Sequence, residues 1–159
     1  MAEVQAHSLF TEFDISLFKA GKHFRLHEKM GPHICEVDGI KGTYFAVWAP
    51  SANQVSVVGD FNYWQDGEHQ LNVRWDSSGI WEGFIPNIGH SDTYKYKIHS
   101  NHNGIVTEKA DPFARRAEHP PKTASIIYST DHKWKDKEWM AKRHKHNSLS
   151  APYLSLIHI

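Results

Sequence analysis

Thr93-Tyr94-Lys95-Tyr96-Lys97-Ile98-His99 is the stretch that decides the fold. It alternates without a break: Tyr94, Tyr96 and Ile98 fall on one side of an extended chain, and Thr93, Lys95, Lys97 and His99 on the other. Successive side chains of a strand point to opposite faces, so this is a strand with one face in a core and one in water. Working outward, Asn101 to Gly104 turns the chain and Ile105 to Lys109 returns as another strand. On the other side, Asp76-Ser77-Ser78-Gly79 is a hairpin signal ahead of Ile80 to Ile85, and Asp66-Gly67 marks a turn before Leu71 to Trp75. Gln54 to Gly59 puts Val55 and Val57 on one face, Thr43 to Trp48 is closed by Ala49-Pro50, and Ser125 to Ser129 adds a last segment. About seven short strands separated by turns rather than helices predict an all-β fold, an immunoglobulin-like antiparallel β-sandwich over residues 39–130. Phe45, Val47, Val55, Val57, Tyr94, Tyr96 and Ile98 are its expected core.

The flanks read differently. Residues 1–38 look mostly helical, a helical amino-terminal extension packed on the sandwich. Thr11 with Asp14 resembles a capping box, Leu17 and Phe18 supply an apolar face, and Gly21 suits a helix end. A second short helix is expected from His23 to Met30, stopped by Gly31-Pro32. His23 and His27 stand four apart, but no third ligand at useful spacing accompanies them, so no metal or other cofactor is expected. Residues 131–152 read as a linker carrying a short C-terminal helix, about Asp136 to His146. Lys133 to His146 is rich in basic residues, but Asp136 and Glu138 interrupt the charge, and Trp134, Trp139 and Met140 give the helix an apolar docking face.

Composition excludes several function classes. The 18 Lys and Arg balance 18 Asp and Glu, so nothing marks the chain as a binder of nucleic acid. No apolar run approaches the length that crosses a membrane, and Met1 to His7 lacks a basic start followed by an apolar core, so neither a membrane partner nor a secretory signal is expected. The single cysteine, Cys35, makes no internal disulfide, which fits a reducing cytoplasm.

Several stretches together resemble the amino-terminal region of bacterial glycogen branching enzymes. They are Phe24-Arg25-Leu26-His27-Glu28-Lys29-Met30-Gly31 with Pro32-His33, then Phe45-Ala46-Val47-Trp48-Ala49-Pro50, then Val55-Ser56-Val57-Val58-Gly59-Asp60-Phe61-Asn62 with Trp64. Tyr94-Lys95-Tyr96, Lys109-Ala110-Asp111-Pro112-Phe113, Glu138-Trp139-Met140 and Ala151-Pro152 complete the set. The middle portion resembles carbohydrate-binding module family 48, shared with debranching enzymes and the β-subunit of AMP-activated kinase. The Glu28-Lys29 segment and the Lys109 to Phe113 motif select branching enzymes within that group.

The resemblance implies a parent enzyme of glycoside hydrolase family 13 that makes α-1,6 branches in glycogen by retaining transglycosylation with two carboxylates on a (β/α)8 barrel. In that family the barrel begins just after the position of Ala151-Pro152, so no catalytic residue is expected in this chain, and pairing Asp60 with Asp111 would be a mistake. The implied partners are α-1,4-glucan or glycogen and the missing catalytic barrel. Two other classes compete: an accessory domain of a debranching enzyme, and a non-enzymatic glycan-binding regulatory module. The Glu28-Lys29 segment argues against the first and the barrel-like approach at Ala151-Pro152 against the second.

Six Trp, six Tyr and eight Phe exceed what most cores of this size need, so one or two rings are candidate sugar platforms. Trp64 is the first candidate, in the loop after a strand; Lys95, on the polar face of its strand, and the amide of Asn62 are expected beside it as hydrogen-bonding partners. Lys95 matches a glucan-contacting lysine of the kinase module. That module has a second tryptophan three residues before its Asp-Pro pair, where this chain has Glu108. Finally, Leu154-Ser155-Leu156-Ile157-His158-Ile159 is what CTG TCT CTT ATA CAC ATC encodes, which resembles a sequencing-library adapter, so residues 153–159 are expected to be a truncation artefact.

Overall fold

Tyr94 and Tyr96 are fully buried on the middle strand of a sheet, as the alternation of that segment requires. The computed structural model describes residues 3–102, 104–130 and 132–146. Residues 147–152 of the expected linker and the 153–159 segment lie outside them. The chain divides into two units, Met1–Ser129 and Thr130–Ile159.

The first unit is an antiparallel sandwich of two sheets. One sheet runs in the order β1 (Gly31–Val37), β2 (Ile40–Trp48), β5 (Ile80–Pro86), β4 (Asn72–Val73). The other runs β3 (Ala52–Gly59), β6 (Thr93–Ser100), β9 (Ser125–Ile126), β8 (Arg116–Ala117). A further strand, β7 (Val106–Lys109), shares an edge of β6 with β9: β9 takes Thr93 and Tyr94, and β7 takes Tyr96 to His99. Phe45, Val47, Trp81 and Ile85 from the first sheet meet Val55, Val57, Tyr94 and Tyr96 from the second. Ile98, placed in the core by the sequence pattern, is only half-buried; it packs against the cluster from its margin.

The first sheet is buried on both faces along its central strands, β2 and β5. Thr43 to Val47 form an unbroken buried run, because the chain ahead of the sandwich covers the outer side: Phe10, Ile15 and Met30 pack on Tyr44, Ala46 and Ile80. That cover begins with a helix, α1 (Glu12–Lys19), closed by a capping box in which the Thr11 hydroxyl accepts from Asp14 N at 3.2 Å and Thr11 N donates to Asp14 Oδ2 at 2.8 Å. Gly21, at φ 66°, takes the left-handed conformation that ends the helix.

Four expectations are corrected. The helix expected over His23–Met30 is a single 3-10 turn, Leu26–Glu28. His23 is turned back toward α1, its Nε2 3.0 Å from Asp14 Oδ1 while its Nδ1 accepts from Arg25 N at 3.3 Å, which ties the start of this segment to α1. Gly31–Val37, counted with the helical extension, is strand β1, which returns into β2 through Asp38-Gly39, both at positive φ. Leu71–Trp75 supplies only two strand residues. Leu71 N still bonds Val55 O of the second sheet while Asn72 and Val73 pair with Glu82 and Trp81 of the first, so the segment crosses between sheets. The last expected strand is likewise cut to Ser125–Ile126, where the pairing becomes irregular: Ile127 N bonds Asp92 O but Ile127 O accepts from Ser91 N.

In the second unit a helix, α2 (Lys137–Lys142), continues as a 3-10 turn through His146, within the span expected for it. Trp134, Trp139 and Met140 are exposed.

Asp111 is the buried polar centre of the sandwich. Its Oδ2 accepts from the Tyr94 hydroxyl at 2.7 Å and the Tyr96 hydroxyl at 3.0 Å, and its Oδ1 from Phe113 N at 2.7 Å. Burial pushes its carboxyl up, against the pull of these donors, and pushes both phenols up as well. Asp111→Ala is expected to cost about 2–4 kcal/mol in urea unfolding, because it leaves two buried hydroxyls without an acceptor. Asp111 binds its proton more tightly folded than unfolded. Its titration therefore favours the fold below the unfolded carboxylate range and loses that contribution as pH rises through the folded value.

Asp14 runs the other way. Burial opposes its charge, but hydrogen bonds from Thr11 and His23, with Lys29 nearby, hold its carboxyl well below the usual range. Its contribution is present above the unfolded pKa and lost as pH falls through the folded one. Asp14→Asn is expected to lower stability by about 1 kcal/mol at neutral pH. The gap between wild type and variant narrows below about pH 4, read by thermal melts at the two pH values.

Candidate ligand-binding cleft

β3 ends at Gly59 because the chain must turn tightly there. A Cβ at this position would lie 2.1 Å from Thr93 O and 2.6 Å from the Phe61 ring, so only glycine fits. The chain then makes a 3-10 turn, Asp60–Asn62, and places Tyr63 and Trp64 successively at φ 52° and 60°. Two consecutive non-glycine residues in the left-handed region are costly and persist only where neighbours enforce them.

Asn62 is one of the enforcers. Its Oδ1 accepts from Gly59 N at 2.9 Å, and its Nδ2 donates to Val57 O and lies 2.9 Å from His69 Nδ1. The side chain is fully buried. This corrects the expectation that Asn62 offers its amide to a ligand: both ends of the amide are committed inside the loop, and it acts by holding Trp64 in place. His69, also buried, completes that arrangement and stands edge-on to Phe61 at 5.5 Å.

Trp64 itself is half-buried. Its Nε1 donates to Asp60 Oδ1 at 2.8 Å, and the other carboxylate oxygen of Asp60 accepts from the Thr93 hydroxyl. Those two hydrogen bonds, Thr93 first, hold the Asp60 carboxyl below its ordinary range. The loop is thereby tied to the first residue of β6. Lys95, two residues along β6 and pointing away from Tyr94 and Tyr96, lines the same open cleft of about 430 Å³ as Trp64. Glu108, Glu118 and Lys122 line it too, so acidic and basic groups alternate around one indole. Glu108 also meets Lys97 at 3.4 Å.

Of the three residues singled out from sequence, Trp64 and Lys95 thus share one cleft and Asn62 lies beneath it. Sequence reasoning missed the far wall, Glu118 and Lys122, which comes from the loop between β8 and β9. The only signal there is that Lys122 and Glu118 are four residues apart with opposite charge; they meet at 3.4 Å. Tyr63, 84% exposed beside Trp64, was also passed over. A flat ring with hydrogen-bonding groups on both sides suits a ligand with apolar faces and many hydroxyls. Among the described residues no group of three or more His, Cys, Asp or Glu is placed to hold a metal ion, and no helix is long and apolar enough to cross a membrane.

The chain has named relatives among known proteins. The chain is 51% identical over 143 residues to a 1,4-alpha-glucan branching enzyme GlgB of Trichodesmium erythraeum (strain IMS101), covering 89% of this chain and 18% of the relative. It is 47% identical over 153 residues to the protein of that name in Aromatoleum aromaticum (strain DSM 19018 / LMG 30748 / EbN1), covering 96% of this chain and 23% of the relative. The chain therefore spans about a fifth of the length of the curated relatives it matches. Among solved structures, the ligand-free G680L mutant of PulA from Klebsiella pneumoniae superposes with a TM-score of 0.50 at 22% identity, over 63% of this chain and 10% of that one, a likeness of fold. Residues 29–114, which include Trp64, Lys95 and Glu108, match carbohydrate-binding module 48 (isoamylase N-terminal domain), and the chain belongs to that family.

Proposed function

We propose that this chain is the glucan-contacting amino-terminal part of a 1,4-α-glucan branching enzyme, acting in the cytoplasm on glycogen. In this reading it holds α-1,4-glucan at Trp64 and Lys95 and orients the catalytic barrel that supplies the chemistry. The observation that carries the binding role is that Trp64 and Lys95, thirty-one positions apart in sequence, line one cleft with the indole braced by Asp60. The names of the relatives support the parent reaction, a retaining transglycosylation that needs two carboxylates flanking the scissile bond. The carboxylates of the cleft are otherwise engaged. Asp60 braces Trp64, Glu108 faces Lys97, and Glu118 faces Lys122.

The binding is weak by construction. Covering roughly 60 Å² of one ring gives about 1.5 kcal/mol, small beside the cost of association. One such platform is useful chiefly when tethered to an enzyme that acts on the same polymer. A purely orienting role has one observation in its favour: Glu108, paired with Lys97, stands where the kinase module has its second tryptophan.

Titration with maltoheptaose is expected to shift NMR resonances of Trp64 and Lys95 with a dissociation constant on the order of 1 mM. Trp64→Ala should remove those shifts while the melting temperature stays within a few degrees of wild type. Absence of any response at residues 64 and 95 in the wild type leaves only the orienting role. Incubated with amylose, the chain is expected to form no α-1,6 linkages; new branch points would place the carboxylate pair within it.

A further inference from the structure

A second aromatic platform stands on the other sheet. Trp75 is 83% exposed, yet its position is not loose. The residues on either side point inward. Arg74 and Asp76 each expose 8% of their side chains and meet at 2.8 Å, and Arg74 also pairs with Glu82 at 2.5 Å. Ser8 joins them, accepting from Arg74 Nη1 at 2.6 Å and donating to Glu82 at 2.9 Å. Asp76 is fixed in turn by Ser78 N at 3.0 Å, and Lys19 caps its carbonyl. Trp75 opens the turn that follows β4, and with the charged residues on either side anchored inward its ring is left facing out. The indole is therefore held out in water by a buried ion network.

Beside it opens a cleft of about 400 Å³ lined by Trp75, Val73, Asn72, Ser8 and His7. Val73 and Asn72 are exposed as well. It shares with the Trp64 cleft one indole ringed by polar groups; the rim there is acidic and basic, whereas here the Asn72 amide and the His7 imidazole stand beside Val73 and the Arg74–Glu82 pair. The two clefts lie at opposite ends of the sandwich. Trp75 precedes the turn where Arg74 N bonds Ile80 O and Ala49 N bonds Gly79 O, at the end where β2 finishes and β3 starts. Trp64 follows the other end of β3, whose eight residues span roughly 25 Å.

We propose that the Trp75 cleft is a second α-glucan contact, so that the domain grips two stretches of glucan at once, one at each end of the sandwich. The choice of ligand rests on the reading of the first cleft. Neither ring holds a chain tightly alone; on a branched polymer that presents many ends, two weak contacts reinforce each other.

The test uses the whole chain in four forms: wild type, Trp64→Ala, Trp75→Ala and both together, with Trp75→Phe as the conservative control. Maltoheptaose should shift the resonances of Asn72, Val73 and Trp75 in wild type and equally in Trp64→Ala. In Trp75→Ala the shifts at Asn72 and Val73 should vanish while those at Trp64 and Lys95 remain. In gels containing glycogen, each single variant should bind at least threefold more weakly than wild type, the double variant should run unretarded, and Trp75→Phe should keep most of the retention. Silence at Asn72, Val73 and Trp75 in the wild type overturns the proposal, as does glycogen retention unchanged in Trp75→Ala. Shifts at these residues that follow protein concentration rather than sugar point to self-association and also overturn it. A response at Trp75 with none at Trp64 sustains the Trp75 contact, while the first reading and the grip at two ends fail.

Discussion

The carboxylate of Asp111 sits in the interior with two tyrosine hydroxyls and a backbone amide directed at it. A charge in that position is tolerable only if every donor stays in place, which ties three parts of the chain together. Tyr94 and Tyr96 must face inward from β6; the Asp111-Pro112-Phe113 segment must cross beneath them; and Ser125 of β9 must meet Asp111 N, at 2.9 Å. β6 is also the strand that pairs with β3, β7 and β9. Fixing its inward face fixes its outward face by the same alternation, and that places Lys95 beside Trp64. The position of Lys95 in the cleft is a consequence of the buried tyrosines on either side of it.

A second buried network organises the other sheet. Glu82 accepts from the Tyr44 hydroxyl at 2.5 Å, from Ser8 and from Arg74. Ser8 belongs to the segment ahead of α1, so the residues before the first strand are joined to the sandwich by polar contacts as well as by Phe10, Ile15 and Met30. Along β2 and β5, where both faces are covered, the one-sided alternation of β6 is lost, whereas the outer strands β1 and β4 remain partly open to water.

That difference explains what could be read from the sequence. β6 has one wet face and announces itself. β2 does not alternate, yet its run of aromatic and β-branched residues ends at Ala49-Pro50, which was enough to place it. β1 was lost because Gly31-Pro32 was taken only as a helix stop, although proline suits the start of an edge strand and Asp38-Gly39 is a strong hairpin signal. The same span misled over His23–Met30, where the decisive contact is with Asp14, nine residues back in the chain. In the cleft, Trp64 and Lys95 could be found because each belongs to a local pattern. Asn62 was misassigned because a polar residue in a loop looks available. Its commitment depends on His69 and on the β3 carbonyl of Val57, which no local pattern reveals. Glu118 and Lys122 reach the cleft only through the pairing of β8 with β9, two residues each, too short to leave a pattern.

The charge pattern of the cleft bears on the role proposed for it, contact with a neutral polymer. Hydroxyl groups compete poorly with water unless the groups that meet them are already in position. Here the fixing is internal: Asp60 is engaged by Trp64 and Thr93, Glu108 faces Lys97, and Glu118 faces Lys122. Each acid has neighbours that limit its motion, while lone pairs remain for a sugar hydroxyl. The surface ion pairs contribute little to stability by themselves, about 1 kcal/mol or less each. Their use is to keep the polar rim ordered around a ring whose own contribution is small. Replacing Glu108 with an aromatic ring would add apolar area but remove the partner of Lys97. In the proposed role, the cleft thus offers a modest stacking area and an ordered polar edge, which suits repeated release along a polymer better than tight capture at one point.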